Sequence, residues 1–225
     1  MKALPFRAAS MSNPSLHTKK SLPAPDFSGN FDLFFTSSTL IPNSLSTAIS
    51  NAVDTGNAHR NLYKILAANS LSSSDARGFF PDQSDRESRC GTLWSSFLRD
   101  PLNDEPLDIG LYDLREVDGS SSSLQRKTSD VDMDQPSPRP VRLSPGLVAG
   151  ALVHGLGDMI VDSFGEFIIH RVWCDFSEEG TLMEVFGGHF ALQVFFGDIY
   201  VERGFADVAE HRLDFWGVRS KRTPD

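Results

Sequence analysis

A chain of 225 residues with 40% hydrophobic content is long enough for one core plus segments outside it, and its formal charge of -9 excludes a nucleic-acid backbone or an anionic membrane as main partner, since those need clustered Lys and Arg. Two cysteines, Cys90 and Cys174, make neither a disulfide framework nor a zinc pattern, which implies an intracellular, reducing compartment. No run of about 18 apolar residues exists, so no membrane span is expected.

Residues 1–26 carry Lys2, Arg7, Lys19 and Lys20 with no acid before Asp26. That composition is shared by organelle-targeting leaders and by plain polar tails. Residues 27–117 read as a partly helical N-terminal region. Phe27 to Ile41 is a strand or an apolar arm. Ser44 opens a short helix through Leu45, Ala48, Ile49 and Val53, and Leu62, Ile65, Leu66 and Ala68 mark one face of a second helix over Asn57 to Leu71. Residues 72–91, with only Phe79 and Phe80 as large apolar members, read as a loop. Thr92 to Leu98 is a helical turn or a short strand, and the alternation through Leu107 to Val117 predicts a strand. Residues 118–143 are dominated by Ser, Asp and Pro. They cannot bury enough apolar surface to offset chain entropy, and they read as a disordered linker.

Residues 144–219 form the predicted folded region, with 220–225 as a polar tail. Ser144-Pro145 is an N-cap and first residue for a helix over Gly146 to Leu156, whose Leu147, Val148, Ala151 and Leu152 share a face. The stretch from Glu166 to Glu202 then reads as a four-strand meander. Its first turn, Ser177-Glu178-Glu179-Gly180, is of type I and closed by Gly180 in the left-handed region; Gly187-Gly188 and Gly197-Asp198 supply two tight hairpins. Arg212 to Arg219 is a fifth strand. The expected fold class is therefore α+β: a C-terminal antiparallel sheet of four to five strands packed on the Gly146 helix, after a helical N-terminal portion.

Period-two alternation in that register assigns Phe167, Ile169, Trp173, Met183, Val185, Phe190, Leu192, Val194, Phe196, Ile199 and Val201 to a core face, with Arg171 the odd polar member. It puts Glu184, Phe186, His189, Gln193, Phe195, Tyr200 and Glu202 together on the other face. The acidic balance, the long inserts and the lack of a catalytic motif favour a non-catalytic interaction or assembly protein. The alternative is a small-molecule enzyme of dehydratase, isomerase or cyclase type. There His189 would act as general base, Glu184 or Glu202 as its partner, and Gln193, Tyr200, Phe186 and Phe195 as ligand-binding walls of a cavity. No cofactor is implied. No metal is implied either, because His170 and His189 fall on strands one and three, roughly 10 Å apart at the usual strand spacing. The expected partner is a protein or a small apolar molecule.

Overall fold

In the computed structural model, which describes residues 22–37, 55–70, 72–82, 90–117, 145–154 and 159–221, eight antiparallel strands follow one another in chain order and the last closes on the first. They are β1 (Gly29–Phe35), β2 (Ala76–Phe80), β3 (Gly91–Ser95), β4 (Ile109–Val117), β5 (Gly146–Val153), β6 (Ile160–Phe176), β7 (Leu182–Phe196) and β8 (Val208–Arg219). A helix, α1 (Thr55–Asn69), lies between β1 and β2, and a single turn of helix, α2 (Asp198–Glu202), between β7 and β8. Closure removes the sheet edges that an open sheet of this size would leave unpaired.

This overturns the α+β expectation, for two local reasons. Gly146–Val153 is a strand, not a helix lying on a sheet. Leu147, Ala149 and Ala151 point into the barrel while Val148 and Leu152 point out, and with apolar residues on both faces the sequence carries no period that separates strand from helix. Gly187 and Gly188 do not turn the chain. They sit inside the unbroken β7, paired with His170 and Ile169 on one side and with Trp216 and Phe215 on the other. A Cβ at Gly188 would collide with the Ile168 carbonyl oxygen and the Phe215 ring, so the glycine serves a close approach of neighbouring strands. Gly197 has an extended backbone and precedes α2, which stands where the fourth strand of the meander was expected. The N-terminal portion contributes four strands and one helix, including β2 within the stretch read as a loop.

Other expectations hold locally. Gly180 has φ 80° and the Ser177–Thr181 turn closes through Ser177 N–H to Thr181 O, 2.8 Å, and Gly180 N–H to Ser177 O, 2.9 Å. The second predicted helix is α1, two residues out of register with its predicted limits. The short helix after Ser44 and the linker over 118–143 lie outside the described residues. So do residues 1–21 of the N-terminal tail.

The barrel interior is one apolar cluster. Phe31, Phe80, Phe167, Phe186, Phe190 and Phe215 are each at most 2% exposed and interlock with Leu33, Leu111, Ile169, Leu192 and Val194. Phe167 touches Phe80 and Phe215 at 5.3 Å each, and Phe31 meets Phe186 edge-on at 5.0 Å. A second, smaller cluster lies outside the barrel, where Leu62 and Leu66 of α1 cover Phe34, Val185 and Val218. Apolar side chains thus point inward on β7 and β8 while His189, Gln193, Glu210, Arg212 and Asp214 point outward, the reverse of a lipid-facing barrel with a polar lumen. Among the described residues no helix is long and apolar enough to cross a membrane.

The two ends differ. At the first, the strap 22–28 crosses the mouth: Phe27 is 2% exposed and packs against Phe186 at 6.0 Å. Beneath it Glu184 bridges two arginines, Arg171 Nη1 at 3.0 Å and Arg219 Nε at 2.8 Å. Arg171 Nη2 donates to Pro23 O at 2.7 Å and Arg219 Nη1 to Ser28 O at 2.9 Å, so the same guanidinium groups hold the strap. At the other end the β3–β4 connection meets α2, where the Tyr200 hydroxyl donates to Asp100 Oδ2 at 3.0 Å. Burial and the Asp100 carboxylate push that phenol up to about 12.

Candidate functional site

The predicted site residues do not meet. Because β7 runs unbroken, its even and odd residues part company: Glu184 and Phe186 face the interior beneath the strap, while His189, Gln193 and Phe195 face outward. Tyr200 is buried at the opposite end against Phe196, ring centroids 4.6 Å apart, and Glu202 is exposed on α2. Hairpins at Gly187-Gly188 and Gly197-Asp198 would have put all seven on one face; a continuous β7 followed by α2 distributes them among three places.

On the outer wall, pairing across β6, β7 and β8 places side chains in rows: Ile168, His189 and Asp214; then Glu166, Ala191 and Arg212; then Phe164, Gln193 and Glu210. The short Ala191 side chain leaves a hollow between its taller neighbours, a groove of about 340 Å³ lined by Phe164, Glu166, Ala191, Gln193, Glu210 and Arg212. Arg212 Nε donates to Glu210 Oε1 at 2.8 Å. Glu166 is half-buried and makes no side-chain hydrogen bond or ion pair among the described residues. Phe164, 52% exposed, leans on Phe195 with centroids 5.6 Å apart. One row away, His189 Nδ1 lies 2.8 Å from Asp214 Oδ1, which orients the imidazole.

His189 therefore has a carboxylate partner, but from β8 and not from position 184 or 202. Sequence reasoning missed Asp214, Arg212, Glu210, Glu166 and Phe164. A signal was available, since Glu210, Arg212 and Asp214 alternate with Ala209, His211 and Leu213 as one polar face of β8, which begins four residues before the predicted last strand, Arg212 to Arg219. Among the described residues no three His, Cys, Asp or Glu side chains converge as a metal ion would need.

The second feature is the rim at the α2 end. Phe97 on the β3–β4 connection, Val161 at the start of β6, Ile199 and Val201 on α2 and Phe205 after it are 40% to 71% exposed. The same segments carry the exposed carboxylates Asp104, Glu105, Asp162, Asp198, Glu202 and Asp207, against Arg99 and Arg203. Arg99 is itself bound to Asp104, Nη1 to Oδ2 at 3.1 Å.

Burial pulls the His170 and His211 imidazoles below their ordinary value of 6.5, because a charged ring is poorly solvated at either place. His170 Nδ1 is buried and has no hydrogen-bond partner among the described residues. A folded-state pKa below the unfolded one means that the unfolded chain takes up protons first as pH falls below about 6.5. Stability should be independent of these groups above that pH, then decline towards pH 5. Melting temperatures at pH 7.5, 6.5 and 5.5 should show the decline, and His211→Leu should flatten it; an unchanged slope would mean that other groups govern it.

Comparison with family models, with curated proteins and with solved structures finds no match to this chain.

Proposed function

We propose that this chain is a non-catalytic interaction protein, a rigid barrel that docks a protein partner through the rim at its α2 end. The observation that carries this reading is the gathering of Phe97, Val161, Ile199, Val201 and Phe205 at one end, each at least 40% exposed. Single exposed apolar residues are ordinary, whereas several at one place mark contact surfaces. The carboxylates around the rim select the partner's chemistry: an apolar anchor flanked by Lys or Arg fits, and an acidic segment is repelled. Tyr200, held to Asp100 beneath, keeps α2 and the opposing connection in fixed positions, so little ordering has to accompany binding.

The test titrates the full chain with two synthetic amphipathic helices that share one leucine face, one carrying lysines and the other glutamates. The lysine peptide should bind and the glutamate peptide should not. Val201→Ser with Phe205→Ser should weaken binding roughly tenfold or more, as loss of central apolar anchors does, without lowering the melting temperature. Equal binding by the variant, or by both peptides, would overturn the reading.

One observation favours a second reading, a small-molecule enzyme of isomerase, dehydratase or cyclase type: His189 is paired with Asp214 beside a groove, the arrangement of an oriented general base. Its measure is turnover by His189→Gln, which should vanish while stability stays the same.

A further inference from the structure

We propose that the outer-wall groove of β6, β7 and β8 is a binding site for a small organic cation: an amidinium, guanidinium or primary ammonium on a flat apolar body. Its volume of about 340 Å³ is at the small end of the range for ligand pockets, roughly 300–1,000 Å³, which restricts the occupant to a single ring or a short chain.

Charge decides the class. The groove holds two carboxylates, Glu166 and Glu210, and one cation, Arg212, while His211, which also lines it, pairs with the inward-facing Leu192 and so turns its imidazole to the other side of the wall. Arg212 is already held by Glu210, which leaves its guanidinium poorly placed to receive an anion. Glu166 has no such partner among the described residues, and its half-buried position reduces the screening that water gives an exposed carboxylate. A ligand that brings one positive charge completes the pairing; a neutral ligand leaves it incomplete, and an anion adds repulsion. The next row does not alter the balance, because His189 there faces Asp214.

Shape decides the body. Phe164 and Phe195 form a tilted aromatic pair at the groove's margin, and a ring face attracts a cation through its quadrupole while offering apolar area to the remainder of the ligand. Ala191 forms the floor, where any longer side chain would fill the hollow, and the Gln193 amide oxygen is an acceptor for a second N–H. None of these residues belongs to the rim at the α2 end, so the site and the proposed docking surface stand or fall separately.

The probe is benzamidine, with neutral benzamide and anionic benzoate as controls, titrated into the full chain and read by amide chemical shifts. Benzamidine should shift Ala191, Gln193 and Glu210 in a saturable way and benzoate should not. Glu166→Gln should weaken benzamidine roughly tenfold or more, the weight of one hydrogen bond to a charged group. Ala191→Leu should abolish binding by filling the floor. Both variants should melt with the parent chain. Benzamidine and benzoate binding alike, or Glu166→Gln and Ala191→Leu both leaving the affinity unchanged, would overturn the proposal.

Discussion

Replacing Glu184 with alanine should destabilise the barrel by about 3 to 5 kcal/mol, the usual result of removing one partner from a buried ion pair. The carboxylate is 4% exposed and is shared by Arg171, 14% exposed, and Arg219, 35% exposed. Without it, two guanidinium groups remain at one mouth of an apolar barrel, balanced among the described residues by backbone carbonyls of the strap, the more distant Asp26 carboxylate, 3.8 Å from Arg219, and the faces of the Phe31 and Phe186 rings beside Arg219. Water reaching Arg219 offsets part of the loss, which favours the lower half of that range. The strap should loosen with the trio, because the same arginines hold Pro23 and Ser28. Urea unfolding of Glu184→Ala and Glu184→Gln measures this. A loss below about 1 kcal/mol for alanine would mean that the arginines are hydrated enough to stand alone, outside the range for a buried pair.

Phe167→Ala should cost a similar amount, about 3 to 5 kcal/mol, for a different reason. Phe167 is fully buried at the centre of the barrel, stacked on Phe215 and tilted against Phe80, so its removal leaves a cavity that strands pinned on both sides cannot collapse to fill. Phe164, on the same strand but the outer wall, supplies the control. Its replacement by alanine should change stability by no more than about 0.5 kcal/mol, as exposed positions do. The contrast tests which face is inside. If Phe164→Ala were the costlier change, β6 would be turned over in the barrel.

The second experiment turns on alternation that was legible from residue types alone, whereas the first does not, since Glu184 was expected on the face opposite the core and stands inside. Of the residues assigned to the core face, Phe167, Ile169, Phe190, Leu192, Val194 and Phe196 are buried, Trp173 and Met183 are partly buried, and Ile199 and Val201 are exposed because α2 replaces the expected fourth strand. Val185, also assigned there, is buried against α1 outside the barrel, because two glycines that looked like a turn continue the strand. A glycine pair is compatible with a tight hairpin and with two strands in close approach, and only the neighbours decide. Phe215 and the Ile168 carbonyl, from strands on either side, made that decision.

The candidate site was legible in part. His189, Gln193 and Phe195 share the outer wall as expected, but their companions come from β6 and β8, and which residue of β8 stands beside His189 depends on a register fixed across the sheet. Nothing within a few residues of Asp214 announces its partner.

What the sequence by itself determined is therefore local: the strands with β-branched and aromatic alternation, the α1 stripe of Leu62 and Leu66, the Ser177–Gly180 turn and the inward set of β7 beyond Gly188. These depend on φ/ψ preference and on burial period, which neighbouring residues carry. Tertiary structure alone decided the closure of β1 on β8, from Phe31 with Arg219 to Phe35 with Phe215. It also decided the strand state of Gly146–Val153 and the separation of Glu184 from His189. Each of these is a choice between conformations that the local chain tolerates almost equally. The balance is tipped by side chains far away in sequence, through the apolar surface that only the closed barrel buries.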